Sequence, residues 1–553
     1  MPRAARGTPD ERREPRLDAE LDAGLVAATS AGKLGPWDAT DFELAPPAAL
    51  DALTRSERFY FADQCIALPR SGLPVAGYTR SMRADDDVAQ WSRQWGADER
   101  AARAPLILLG APLRADDARL DAAARSVTIA GRSRPFALAP RLPLNRSWFD
   151  ASSAAWFASH KLRIRASLEA DTVVARTLWP EDFALAGPLP AARLAADRPA
   201  ALALRERIRA DPRGGAQLPF AAHEIVKRSG WTGSWKDKPV LAILVNGAQG
   251  DDDEAWAGHF AVVTGRTSAR GSIADLVVDN FYTLDIVSEK GILAAPVPFD
   301  AYLGDVNSGQ AWYRPSYVLV AALASDEALA LVQGAFDRVY RQFWRHQLVY
   351  RHSTMNCAGV SVDVLRALGL PVRRRMPTRR WRAWFALPWV TFTQRSLAKG
   401  RLACEYLSED MTRLLPAVAF EEVGAMLLAL AGDGGRGPAG FPRGLLAGML
   451  ARDIEALAFL RIPQFPSSRR FGSWPVASAD EYFAAIPRDP AKMETVPVPP
   501  RPFPRELRDD DLLPPPRQPS DIPLAVWSVA AIAVLAAFIA WLVALVSPWL
   551  FSP

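Results

Sequence analysis

The chain has 553 residues, 49% of them hydrophobic and 23% charged, which suits about two to four packed domains and excludes a wholly disordered polymer. Its net charge is +5, but 58 of the 66 basic residues are Arg and only 8 are Lys; that bias reads as a GC-rich coding sequence, and with no nucleic-acid module in view no nucleic-acid partner is expected. Three cysteines, Cys65, Cys357 and Cys404, cannot build a disulfide framework and fit a reducing compartment.

Residues 1–35 are charged and Ala-rich, predict disorder, and contain no apolar signal core. Residues 40–215 read as an N-terminal α/β region of unknown role. Strands are expected at SVTIAG, RPFALAP and KLRIRASL, with Leu162, Ile164, Ala166 and Leu168 on one face. A helix over Ala191–Arg213 stops at Asp211-Pro212-Arg213-Gly214-Gly215.

The pattern changes over 216–405. Apolar strands are expected at 240–247, 258–266, 274–282 and 316–323, the middle two paired antiparallel across the turn-rich Thr267–Ser272. A helix is expected over Asp326–His346. A second starts at a cap supplied by Ser353, Thr354 or Asn356 and ends at Gly369, with Pro371 preventing continuation.

Residues 406–484 read as a helical extension, two apolar helical runs around GDGGRGPAG. Gly432, Gly434 and Gly437 match a dinucleotide fingerprint in letters, but the run follows a helix and leads into Pro438, so it is a loop. Residues 485–523 form a Pro-rich spacer. Leu524–Val546 is uncharged and long enough to cross a bilayer core. Arg505, Arg508 and Arg517 precede it and no Lys or Arg follows, so a tail-anchored, single-pass inner-membrane protein with a cytoplasmic N-terminal part is expected. The lipid bilayer is then one partner.

The chemistry concentrates on two residues. Cys357 opens a well-delimited helix, where unpaired N–H groups and the helix dipole favour a thiolate. His259 opens a strand behind Gly258, which leaves backbone room beside it. A thiol facing an imidazole is what nucleophilic catalysis needs. Across the hairpin, Asn280 lies about opposite His259, with Asp279 one register step away; either could hold the other ring nitrogen. The backbone N–H of Cys357 is the expected oxyanion donor. Taken singly, a buried Cys or a strand His is ordinarily a packing residue; the constellation carries the reading. His352, five residues before the cysteine, is a rival base.

Other candidates carry less. His223-Glu224 opens like a zinc-protease motif, but Lys227 stands where the second His belongs. Asp251-Asp252-Asp253-Glu254 lacks calcium-loop spacing and reads as a solvated loop. No metal or organic cofactor is expected.

W-A-G-H-F-A-V-V (256–263), a following strand ending D-N-F-Y, and N-C-A-G-V-S-V-D-V-L-R-A-L (356–368) resemble the permuted NlpC-type papain-fold thiol hydrolases and acyltransferases. The order His, polar residue, Cys is similar to the lecithin–retinol acyltransferase class, and the "W-x-G-H" and "N-C" pieces also resemble bacterial lipoprotein transacylase domains. Over 216–405 the resemblance implies an α+β, papain-like domain with an antiparallel sheet and a nucleophile helix. It further implies a thioacyl intermediate on Cys357, with His259 as base and Asn280 or Asp279 as orienter, acting on a membrane-associated acyl or peptide substrate. The alternative is a catalytically silent papain-like scaffold or binding protein.

One further feature is the basic run Arg373, Arg374, Arg375, Arg379, Arg380 and Arg382, followed by Trp384. On a tethered protein this mixture suits anionic headgroups and is expected to contact the membrane surface.

Overall fold

A computed structural model describes residues 24–481 and 501–502, apart from 46–64, 72–83, 97–102, 104, 109–110, 124, 141–149, 249–256, 283–285, 288–293, 345–347, 349, 379–380, 433–443, 467–471 and 479. The expected transmembrane run, most of the N-terminal tail, Arg379, Arg380, the acidic stretch 251–254, and Gly434 and Gly437 lie outside the described residues. Among the described residues no helix is long and apolar enough to cross a membrane. The fold is α+β.

Helix α1, Ala84–Gln94, precedes a small barrel. Its strands are β1 Leu113–Asp121, β2 Ser126–Ile129, β3 Arg132–Leu138, β4 Leu162–Glu169 and β5 Thr172–Pro180, with helix α2, Ala151–Ala158, between the third and fourth. The spatial order is β1-β4-β5-β3-β2, and β2 pairs back to β1. All pairs are antiparallel except β3 with β5. Val26–Ala27 adds a short sixth strand, antiparallel to β1. The region expected as α/β is therefore mainly a closed sheet. Leu162, Ile164 and Ala166 are buried, as their alternation implied.

The intervening residues of β4 decide how the barrel sits. Arg165 is completely buried; its Nε donates to both carboxylate oxygens of Asp300 at 2.9 and 2.8 Å, and its Nη2 reaches Asp275 at 2.9 Å. Arg163 bridges Asp116 and Asp275, each at 2.6 Å, and Arg176 of β5 holds Asp305 at 2.7 Å. A period-two strand thus sends its apolar side into the barrel and its arginines into the acids of the following domain. One hydrophobic core runs through both parts.

After helix α3, Ala200–Arg209, comes a seven-stranded sheet. Its strands are β6 Ala221–Lys227, β7 Pro239–Asn246, β8 His259–Arg266, β9 Val277–Asn280, β10 Ala295–Pro298, β11 Ser316–Leu323 and β12 Ile454–Ile462. The order is β6-β12-β11-β7-β8-β9-β10, antiparallel throughout. Strands β7 and β11 are buried at every residue. Their unbroken apolar runs reflect covering on both faces.

The covering helices are α4 Glu327–Trp344, α5 Cys357–Ala367 and, beyond the hairpin α6 Trp381–Thr393 with α7 Leu397–Ser408, α8 Pro416–Ala431. Helices α4, α5 and α8 pack on the central strands, and α1 packs on α4 and α5. Helix α9, Leu445–Asp453, leads into β12. The segment expected as a helical extension is thus integral: Ile454–Ile462 lies between β6 and β11, and α8 is core. Its run of large apolar residues fits a buried strand as well as a helix, and length alone did not separate the two. Within the expected spacer, Arg501–Pro502 pairs with Ile286–Val287.

Candidate active site

The site forms where the ends of three neighbouring strands meet the start of α5. The register aligns Ser316, Asn246 and His259 in one cross-strand row. Asn246 Nδ2 donates to Ser316 Oγ at 2.8 Å, and Asn246 Oδ1 accepts from Tyr302 Oη at 2.5 Å. The Tyr302 ring stands 6.3 Å from the imidazole of His259, centroid to centroid. Gly258 makes this approach possible: its φ is +90°, and a Cβ there would lie 2.4 Å from the carbonyl oxygen of Asn246.

Asn356 is the helix cap. Its φ/ψ of −93°/−172° is extended, and its Oδ1 accepts from Gly359 N at 3.0 Å. Its Nδ2 donates to the carbonyls of His352 and Leu414, at 3.0 and 2.9 Å, tying the cap to the chain on either side. The helix stops as its sequence implied, with Leu370 N donating to Leu365 O at 2.9 Å beyond Gly369. Cys357 is the first helical residue. Its thiol is a hydrogen-bond partner of the backbone N–H groups of Phe260 and Ala358 and of Tyr350. Phe260 directly follows His259, so the start of α5 meets the sheet beside that residue.

The register resolves the third residue. Val262 pairs with Asp279, so Asn280 lies opposite Ala261, on the face that carries His259. Asn280 hydrogen-bonds the imidazole. Nε2 has no hydrogen-bond partner among the described residues, so the Asn280 contact falls on Nδ1. Asp279 is a correction: it points to the opposite face, where Gln333 of α4 donates to it at 3.2 Å, and burial raises its carboxyl well above the usual range. A one-residue register step exchanges faces, which is why only one of the two meets the histidine.

The electrostatics differ from the sequence expectation of a thiolate. Burial raises the pKa of the Cys357 thiol, only partly opposed by the N–H groups of Phe260 and Ala358 and by the charge of Arg314. Burial also lowers His259, to about 3, helped by Arg314 and opposed by Asn280. Cys357 is 4% and His259 8% exposed. Desolvation outweighs the helix N-terminus here, and burial favours the neutral form of both the Cys357 thiol and the His259 imidazole. With Nδ1–H given to the Asn280 amide oxygen, Nε2 carries the lone pair of a base.

Arg314 is itself held by Gln310 Oε1, at 2.9 Å from Nε, and by the carbonyl of Gly247 at 3.2 Å from Nη1. The expected oxyanion donor, Cys357 N–H, points at Tyr350 Oη at 3.4 Å, a long contact. His352 is exposed, its ring 5.2 Å from that of Tyr350, and is not part of the buried cluster. Asn246, Tyr302, Arg314 and Tyr350 were missed in the sequence; an Asn-Gly pair ending an unbroken apolar strand was the one available signal.

Among the described residues no group of three or more His, Cys, Asp or Glu side chains is placed to hold a metal ion. His223 lies in strand β6 with Arg207 Nη2 3.1 Å from its Nδ1. Cys65 is buried, its thiol pushed up to about 12, and Cys404 is half-buried in α7. The expected membrane-surface arginines divide. Arg373 and Arg374 are exposed, whereas Arg375 is drawn inward by the buried carboxylate of Glu421, at 2.9 Å. Arg382 faces Asp480 at 3.7 Å.

Compared with protein-family models, with curated proteins and with solved structures, the chain matches none.

Proposed function

We propose that this chain is a membrane-tethered cysteine hydrolase or acyltransferase with a papain-like catalytic arrangement. The observation that carries the reading is that the thiol of Cys357, the first residue of α5, is a partner of the Phe260 N–H, one residue along β8 from His259, whose ring is hydrogen-bonded by Asn280 and whose Nε2 is left without a partner among the described residues. His259 Nε2 accepts the thiol proton as sulfur attacks the acyl carbon. The new C–S bond replaces the C–O or C–N bond of an ester or amide, and His259 returns the proton to the departing alcohol or amine. Water or an acceptor hydroxyl or amine then attacks the thioester and regenerates the thiol. Asn280 is a positioning residue that fixes the tautomer.

The test is acyl trapping. Exposure of the full chain to activated aryl esters of short and long acyl groups should leave an acyl mass on the peptide carrying Cys357, and none on those carrying Cys65 or Cys404. The adduct should vanish in Cys357→Ala and form far more slowly in His259→Ala. Acylation of all three cysteines alike, or undiminished turnover in Cys357→Ala, would overturn the mechanism.

The burial of both residues favours a second reading, a silent papain-like scaffold. It predicts no acyl adduct on Cys357 with any ester.

A further inference from the structure

We propose that the α6–α7 hairpin is a membrane-docking element that lays the aromatic face of α6 on an anionic bilayer surface. Most large apolar residues of the described chain that are exposed lie on this hairpin or just before it. Trp381 is 59%, Trp384 82%, Phe385 68% and Trp389 71% exposed. At 100° per residue these four positions fall within an arc of about 140°, one stripe along the helix. Aromatic side chains of this size offer together roughly 500 Å² of exposed surface, more than soluble monomers ordinarily leave uncovered.

The stripe is the outer face of a closed hairpin. Thr391 and Leu387 of α6 approach Gly400 of α7 so closely that a Cβ there would sit 1.9 Å from Thr391 Oγ1 and 2.6 Å from the carbonyl of Leu387. Helix α6 packs mainly on α7, and among the described residues the tryptophans stay largely exposed.

Charge selects the occupant. Between residues 373 and 404 the sequence holds nine basic residues and no acidic one. Arg373, Arg374, Arg395, Lys399 and Arg401 are exposed. Indoles flanked by arginines match the interfacial zone of a bilayer, where amphipathic rings sit at headgroup depth and basic side chains meet anionic lipid. An apolar protein groove would match the rings and not the cations.

The chain beyond the described residues agrees with this occupant. From Arg501–Pro502 to the apolar run at Leu524 there are 21 residues, so that run starts at most about 75 Å away. A tether of this reach brings the domain to a bilayer without choosing the face presented, and the hairpin supplies that choice. Its second helix is joined to the site, because Glu405 of α7 accepts from Ser353 Oγ at 2.7 Å, four residues before Cys357.

The experiment uses the full chain with Cys404→Ala, reconstituted in phosphatidylcholine vesicles containing about 30% phosphatidylglycerol. Trp384→Cys is compared with Leu218→Cys for labelling by an impermeant maleimide, the parent Cys404→Ala chain giving the baseline. Leu218 is only 37% exposed, so exposure alone would label Trp384→Cys faster. Docking predicts the reverse: Trp384→Cys labels at least about tenfold more slowly, and the gap narrows in phosphatidylcholine alone. Faster or equal labelling of Trp384→Cys would overturn the proposal. So would protection accompanied by Trp384→Cys cross-linked dimers, which would assign the face to a second copy, or a gap undiminished in neutral vesicles.

Discussion

The resting charge of the Cys357–His259 pair is open to a direct measurement, the pH dependence of iodoacetamide alkylation in the full chain. An ordinary thiol near pKa 8.5 is about 3% thiolate at pH 7, and each unit of increase removes a further factor of about ten. Burial raises Cys357. His259, lowered to about 3, is neutral above about pH 4 and supplies no positive charge to hold a thiolate. The alkylation rate should therefore climb about tenfold per pH unit from pH 5 to beyond 9, without a plateau. At pH 7 it should be slower than that of a peptide spanning residues 353–361. The slope carries the test, since limited access also slows the reaction. Digestion and mass spectrometry separate Cys357 from Cys65 and Cys404. A plateau between pH 5 and 8 would mean a preformed thiolate–imidazolium pair and would refute the reasoning. Asn280→Asp should create such a shoulder, because a carboxylate at Nδ1 favours the imidazolium.

Because His259 is neutral in the folded protein and ordinarily titrates near 6.5 when unfolded, its contribution to stability is present above pH 6.5 and is lost as pH falls towards 3. Acidification from pH 7 to 5 should cost about 2 kcal/mol from this residue, and His259→Gln should flatten thermal stability over that interval; an unchanged slope would contradict the assignment. Arg165→Met leaves the buried carboxylate of Asp300 without its guanidinium and should cost about 3–5 kcal/mol, with Asp300→Asn added in the same chain recovering much of it. Tryptophan-detected melting over the double-mutant cycle reads this, and a loss below about 1 kcal/mol would show that the barrel does not depend on the pair. Asn356→Ala removes the α5 cap and two carbonyl contacts and should cost about 1–2 kcal/mol; hydrogen exchange should rise first at Gly359, and unchanged protection there would count against the cap.

The candidate site was legible in part because its signals are local. A helix start, its cap and its stop are written within a dozen residues, so α5 could be read around Cys357 from Asn356, Gly369 and Pro371. Strand β8 was equally plain from its apolar run behind Gly258. The hairpin narrowed the third residue to Asn280 or Asp279 and no further, since register depends on the turn around Gly271, which local pattern leaves loose by a residue. The thiolate expected from sequence and the neutral thiol that burial favours differ for a related reason. A helix N-terminus is a local feature that favours thiolate, while desolvation comes from side chains far away in the chain.

Local sequence by itself determined the α+β character, the apolar strands, the limits of the helix that Cys357 opens, the order of histidine, polar residue and cysteine, and the cationic run before Trp384. Tertiary structure alone decided that β4 turns its arginines onto Asp275 and Asp300 and that Ile454–Ile462 completes the sheet 130 residues after β11. It also decided that Arg375 folds inward while four aromatic rings stay outside. The division has a physical cause. Backbone conformation and capping are governed by neighbours in sequence, whereas burial, register and charge pairing are set by groups that only the fold brings within a few ångströms of one another.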